Sequence, residues 1–204
     1  MEHVCLDLEG VLIPEIWAEV AKYTGEEQFK LTTQDLKDYS ELMDMRIDLV
    51  KSIGLSFLEI HSLVDKMEPF DGAREFIDWV RDNFQLTIVS DSFYELAWPL
   101  LRKLGTPSIN CHYLDIENNE LKGYTLRQLE NKKKVVQGLK DMKFKVFASG
   151  DSYNDIQMLQ EADLGVFFQA PKHIREEFKE IEGVESHEDL KNLLIENSSF
   201  IGRT

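Results

Sequence analysis

Two cysteines in 204 residues are too few for a disulfide framework, and both, Cys5 and Cys111, sit in apolar runs that read as strands. A reducing compartment is expected, with the cytoplasm as its default. Long apolar runs are missing as well: nothing approaches the roughly 18 residues of a membrane helix. The start, Met1-Glu2-His3, lacks the positive region and apolar core of a signal peptide. Basic residues are scarce, 23 against 38 acidic ones, for a formal net charge of -15. Such a surface repels polyanions, so neither nucleic acid nor an anionic membrane is an expected partner. Repeats, low-complexity tracts and Gly/Ser linkers are absent. The five histidines show no metal-ligand spacing, and surface or packing roles are expected for them.

What is there is an ordinary globular composition, 43% hydrophobic and 30% charged, long enough for one domain core with a small insertion. Short runs rich in Val, Ile, Leu and Phe over residues 3–8, 85–90, 145–149 and 164–168 read as parallel strands buried on both faces. Helical periodicity lies between and after them, over residues 71–84, 93–104, 132–142, 154–162, 172–178 and 187–196, with Gly105 as a C-terminal stop. Residues 111–124 read as a hairpin around Asn118-Asn119. This alternation predicts a doubly wound, mostly parallel α/β sheet with helices on both faces. One interval breaks the rhythm: residues 14–69 carry helical patterns over 14–23, 33–53 and 56–67 and no convincing strand. The expected organisation is an α/β core of residues 1–13 and 70–204, with residues 14–69 as a helical cap over the strand ends where open α/β sheets bind ligands.

The stretch "VCLDLEGVL", residues 4–12, raises a chemical question. Asp7 and Glu9 stand two apart at a strand end, on one side of the chain, where two buried like charges are costly. The second strand ends in "VSDSF", with Ser90, Asp91 and Ser92, and a later one in "SGDSYND", with Asp151, Asn154 and Asp155. The C-terminal ends of parallel strands lie side by side, so these acids converge. A hard divalent cation with oxygen ligands resolves the crowding, and Mg²⁺ suits a few carboxylates plus a substrate phosphate.

"DLEG", "VSDSF", a lysine in "NKKK" and "GDSYND" resemble, in order and spacing, the haloacid dehalogenase superfamily of phosphotransferases. The likeness is to its phosphoserine phosphatase group. Within that group, "LDLEGVL-PEIW", "SDSFYE" and "GDSYND" resemble the branch that is both phosphoserine phosphatase and homoserine phosphotransferase. The resemblance implies a Rossmann-like core, Mg²⁺ as cofactor and a small phosphorylated amino acid as substrate. Homoserine becomes a candidate acceptor, and a monomer or homodimer is expected. It implies Asp7 as the nucleophile that becomes an aspartyl phosphate, and Glu9, where most of the family has Asp, as general acid and base. The metal would be held by Asp7, Asp151, Asp155 and position 9; the Leu8 or Glu9 carbonyl could also face it, with Glu9 matching the family better. The Ser90 hydroxyl would bind the phosphoryl group, with the adjoining Asp91 and Ser92 amides helping, and Asn154 the phosphate side. Lys132 best matches the lysine that neutralises the phosphoryl oxygens, Lys133 being the alternative. In the cap, Arg46 matches an arginine for the substrate carboxylate, Glu15 would pair with an amino group, and Tyr39 would cover the substrate.

Each residue also has a plain structural reading, since an aspartate or serine at a strand end commonly caps the next helix. Two other functions share the chemistry. A receiver-like signalling domain also holds phospho-Asp and Mg²⁺, but lacks a large insert after its first strand and carries its acids earlier in the chain. A catalytically dead binding module would have lost Asp7 or the lysine.

Overall fold

A computed structural model describes residues 1–32, 35–36 and 38–201. Among the described residues, seven strands form one sheet in the order β4-β3-β2-β1-β5-β6-β7: β1 (Glu2–Leu6), β2 (Gln85–Phe93), β3 (Ile109–Glu117), β4 (Glu120–Thr125), β5 (Lys145–Gly150), β6 (Leu164–Phe168) and β7 (Glu182–Val184). All neighbours run parallel except β4, which is antiparallel to β3. The expected doubly wound α/β fold is therefore the one observed.

Buried strands explain the continuous apolar runs. Along β1, Val4 and Leu6 join an apolar cluster with α4 (Ala73–Asn83), α5 (Tyr94–Lys103) and α9 (His187–Asn197). Cys5 faces the other way, into a cluster with α6 (Asn131–Asp141), α7 (Ile156–Glu161) and Ile174 of α8 (Lys172–Glu177). Alternation by one residue thus sends side chains of the central strand into both layers.

Several boundaries differ from the periodicity. β2 continues to Phe93 because an irregularity after Val89 lets the chain re-pair with β3 at His112. β3 begins earlier than the expected hairpin, at Ile109, and first pairs in parallel with β2. The hairpin turns at Asn118 and Asn119, both at positive φ (49° and 68°), as a tight turn between strands requires. The helix expected over 154–162 opens as a 3₁₀ turn, Tyr153–Asp155, before α7.

Between β1 and α4 run α1 (Ile16–Thr24), a 3₁₀ turn (Glu27–Lys30), α2 (Tyr39–Ser52) and α3 (Phe57–Lys66). The helix expected from residue 33 begins at Tyr39, where the Asp38 carboxylate caps it by accepting from the Ser40 N–H at 2.8 Å; residues 33, 34 and 37 lie outside the described residues. The segment is stitched to the strand ends. The Tyr39 hydroxyl donates to the Asp91 carbonyl at 2.7 Å, and the Phe57 N–H to the Asn119 carbonyl at 2.9 Å. Its buried side chains, among them Ile16, Trp17, Met43 and Ile60, belong to the same apolar cluster as Leu6 and Ile88. Among the described residues no helix is long and apolar enough to cross a membrane.

Candidate active site

β1, β2 and β5 end side by side, and the chain leaves each end carrying an acid. Every expected site residue except Asp155 lines one cavity of about 210 Å³ between those ends and the helices that follow β1. Asp155 lies directly behind it, fully buried.

Lys132 organises this site from the first turn of α6. Its Nζ lies 2.8 Å from Asp7 Oδ2, 2.7 Å from Asp155 Oδ1 and 3.8 Å from Asp91 Oδ2, in a setting where Asp7 and Lys132 are each almost wholly buried. Burial alone would discharge the amine, but Asp155, Asp7 and Asp91 together outweigh it and hold the ammonium well above the ordinary lysine range. Of the two lysines left open by the sequence, the structure brings Lys132 to the acids; Lys133 lines a neighbouring cavity.

The carboxylates outnumber the ammonium. Ligand oxygens of Asp7, Asp151 and Asp155 lie within 4.8 Å of one another. Burial and then repulsion by Asp155 push the Asp7 carboxyl well above its usual range, and the same two causes push Asp151 up to about 7. Two glycines permit this approach. A Cβ on Gly10, which has φ +77°, would stand 2.2 Å from Asp151 Oδ2, and one on Gly150 would stand 2.2 Å from Asp155 Cγ. Three convergent hard oxygens with surplus negative charge fit a divalent cation such as Mg²⁺.

Glu9 takes a different place from Asp7. Its Oε2 accepts a hydrogen bond from the Ile16 N–H at 2.8 Å, at the start of α1, and its carboxylate is not one of the three clustered ones. Glu15 lies beside it. Although much of the Glu15 surface is exposed, desolvation of its carboxyl and the neighbouring Glu9 push it up to about 9, a shift that solvent screening works against.

Ser90 is buried, and its Oγ accepts from the Ser92 N–H at 3.1 Å, which turns the end of β2 into a tight polar loop. Asn154 Nδ2 donates to Asp91 Oδ2 at 3.1 Å. Asp155 Oδ2 accepts from the N–H groups of Asp151 and Ser152, at 3.0 and 3.1 Å, so it fixes the loop while its other oxygen holds Lys132.

The opposite wall comes from α2. Tyr39, Leu42, Met43 and Arg46 all line the cavity, and their spacing of three and four places them on one helix face. Arg46 is buried over the Trp17 ring, 5.1 Å from its centroid, and donates from Nη2 to the Leu31 carbonyl at 2.7 Å. Its Nε is buried with no hydrogen-bond partner among the described residues. Leu42 and Met43 were not singled out from sequence; the periodicity running through Tyr39 and Arg46 was the available signal.

Known proteins carry the same arrangement of sequence. A family model described as haloacid dehalogenase-like hydrolase matches residues 1–163. Phosphoserine phosphatase ThrH of Pseudomonas aeruginosa is 44% identical over 200 residues, covering 98% of this chain and 98% of that protein. A phosphoserine phosphatase of Pseudomonas syringae pv. tomato is 42% identical over 98% of this chain and 84% of its own length. The fold recurs in a solved structure described as a phospho-aspartyl intermediate analogue of phosphoserine phosphatase, with 23% identity, a TM-score of 0.78, and coverage of 94% of this chain and 98% of that one. With the family model spanning most of the chain and a full-length relative at 44% identity, this protein belongs to the haloacid dehalogenase-like hydrolases.

Proposed function

We propose that this hydrolase is a Mg²⁺-dependent phosphatase of phosphoserine that works through an aspartyl phosphate and can pass the phosphoryl group to homoserine, with residues 14–69 as its cap. The observation that carries the reading is Lys132 held between Asp7 and Asp155, at 2.8 and 2.7 Å, beside the Asp151 carboxylate. The relatives' names support the substrate. The cavity volume also favours a small one, since about 210 Å³ falls below the ~300–1,000 Å³ of typical ligand pockets.

In the proposed reaction an Asp7 oxygen attacks phosphorus, and the bond from phosphorus to the serine oxygen breaks. That oxygen takes a proton from Glu9 as it leaves. In the second half, Glu9 takes a proton from water or an alcohol, whose oxygen attacks the same phosphorus and returns the Asp7 carboxylate. Lys132, the Ser90 hydroxyl and the Ser92 amide offset the phosphoryl charge, which is most of what phosphoryl transfer asks of a protein. Asp7, Asp151 and Asp155 would hold the Mg²⁺, which would supply the remaining positive charge. Arg46 is suited to the substrate carboxylate because its buried Nε lacks a partner, and Glu15 to the amine.

Homoserine carries the same amine and carboxylate as serine on a side chain one methylene longer, so Arg46 and Glu15 suit it too. It competes with water, present at ~55 M, only if the site orients its hydroxyl in line and excludes solvent. Buried free thiols at Cys5 and Cys111 agree with a cytoplasmic enzyme.

The test is phosphate release from phosphoserine and a panel of small phosphomonoesters, with Mg²⁺ and with a chelator, repeated with homoserine. Release from phosphoserine that stops on chelation and yields phosphohomoserine in proportion to added homoserine is expected. Chelator-resistant turnover, or preference for another ester, contradicts the reading; free phosphate alone removes the transferase half.

A further inference from the structure

Asp91 follows directly on Ser90, so a carboxylate stands beside the phosphoryl site. Phosphate binding does not require it, and its charge repels a phosphate dianion. Its contacts give it another purpose. Oδ2 accepts from Asn154 Nδ2 at 3.1 Å and lies 3.8 Å from Lys132 Nζ. Oδ1 faces Nε2 of His112 at 3.7 Å. The backbone carbonyl accepts from the Tyr39 hydroxyl at 2.7 Å. α2, β3, α6 and the loop after β5 therefore meet on one residue.

His112 is nearly inaccessible, and its orientation is fixed from behind. Nδ1 accepts from the Arg127 backbone N–H at 3.2 Å. An amide N–H only donates, so Nδ1 carries the lone pair and the ring proton sits on Nε2, on the side of Asp91. The rings of Tyr39 and Phe93, at 5.9 and 6.3 Å, hold the imidazole in place.

We infer that His112 and Asp91 are a positioning pair for phosphoryl transfer: His112 orients the Asp91 carboxylate, and Asp91 orients the Asn154 amide and the Lys132 ammonium. The inference rests on the proposed function for its reaction, not for its substrate. His112 lines a second cavity, of about 390 Å³, which shares Asp91 with the one around Asp7, and its polar route to the site is the Asp91 carboxylate, 3.7 Å away. Without Asp91, the Asn154 amide loses its acceptor and Lys132 loses one of three carboxylates.

Two substitutions separate the halves of the imidazole. His112→Asn keeps an acceptor for the Arg127 N–H but leaves nothing at the Nε2 position. His112→Gln brings a side-chain N–H to that position. Both are measured beside Asp91→Asn and the double variant His112→Asn/Asp91→Asn, for melting temperature, kcat and KM, with phosphoserine and with p-nitrophenyl phosphate. His112→Asn should lower kcat about tenfold on both esters with KM within about twofold, and His112→Gln should recover most of it. The double variant should be no slower than Asp91→Asn alone, since the first change acts through the second residue. Independent, multiplying losses overturn the pair, as does wild-type kcat in His112→Asn. A loss that follows melting temperature in both His112 variants assigns the ring to packing instead. Wild-type enzyme active on p-nitrophenyl phosphate but not on phosphoserine would refute the substrate and leave the pair to be judged on the first ester. Should His112→Asn fail to fold, the cycle is run with His112→Ala, which also removes the Nε2 donor, and additive losses again reject the pair.

Discussion

Glu9 Oε2 accepts a 2.8 Å hydrogen bond from the Ile16 N–H, the first residue of α1. The carboxylate two residues past Asp7 is thereby tied to the start of a helix in the proposed cap, where the helix dipole favours negative charge. An aspartate, one methylene shorter, would have to give up that contact or move the chain.

Glu9→Gln keeps an acceptor for Ile16 but has no proton to give. Turnover of phosphoserine, whose leaving alkoxide needs that proton, should fall by ~10²–10⁴ with melting temperature close to wild type. p-Nitrophenyl phosphate has a good leaving group, so its first step should lose far less. Equal losses in the first step, read as the pre-steady-state release of serine and of p-nitrophenol, would remove Glu9 from protonating the leaving group.

Asp7→Asn preserves shape and removes the attacking charge, so phosphate release should drop by several orders of magnitude. In single-turnover experiments with ³²P-labelled phosphoserine, label should appear on wild-type protein and be absent from the variant. Asp151→Asn should instead raise the Mg²⁺ concentration for half-maximal release, by tenfold or more, because a ligand carboxylate is lost. An unchanged Mg²⁺ dependence would place the cation elsewhere.

The strands and their acids were legible because they obey local rules. β1, β2, β5 and β6 are apolar runs buried on both faces, and Asp7, Ser90 and Asp151 stand where those runs end. What escaped depends on partners far along the chain. The parallel pairing of Ile109 and Asn110 with β2 has no apolar run to announce it, and β7 is only Glu182–Val184. Nothing local to "DLEG" says that Glu9 turns to Ile16 while Asp7 turns to Lys132. His112 was expected at the surface or in packing; only the fold brings Arg127 to one of its nitrogens and Asp91 to the other.

Acid should weaken the fold through His3. This residue sits in the central strand, donates or accepts at Thr87 Oγ1 at 2.9 Å, and has a buried Nδ1 without a partner among the described residues. Burial pushes its ring down to about 4. Between that value and the unfolded ~6.5, the unfolded chain binds more protons, so stability present above ~6.5 is lost as pH falls. The loss from pH 7 to 5 is on the order of 1–2 kcal/mol for this ring, solvent screening trimming the full shift. Asp151 and Glu15, raised to about 7 and about 9, act oppositely, since their folded forms keep the proton longer. A difference measurement isolates His3: urea unfolding of wild type and His3→Gln at both pH values. The gap should shift by about that amount in favour of the glutamine variant at pH 5, and a constant gap would refute the assignment.

Arg46 offers the sharpest test of what the proposed cap recognises. Its guanidinium is stacked over Trp17, with Nη2 on the Leu31 carbonyl and Nε buried and unpaired. Burial lowers its pKa, yet Glu9, Tyr39 and Glu15 pull the other way. Such a group is held rigidly and keeps one donor, Nε, without an acceptor, a condition under which a carboxylate gains from binding it. Arg46→Ala should therefore cost about 1.5–3 kcal/mol of transition-state stabilisation with phosphoserine, read as a fall in kcat/KM. Phosphoethanolamine keeps the amine and phosphate but has no carboxylate, and it should lose much less. A parallel loss for both substrates would mean that Arg46 serves the phosphate or the fold, and the carboxylate would then need another partner in the cavity.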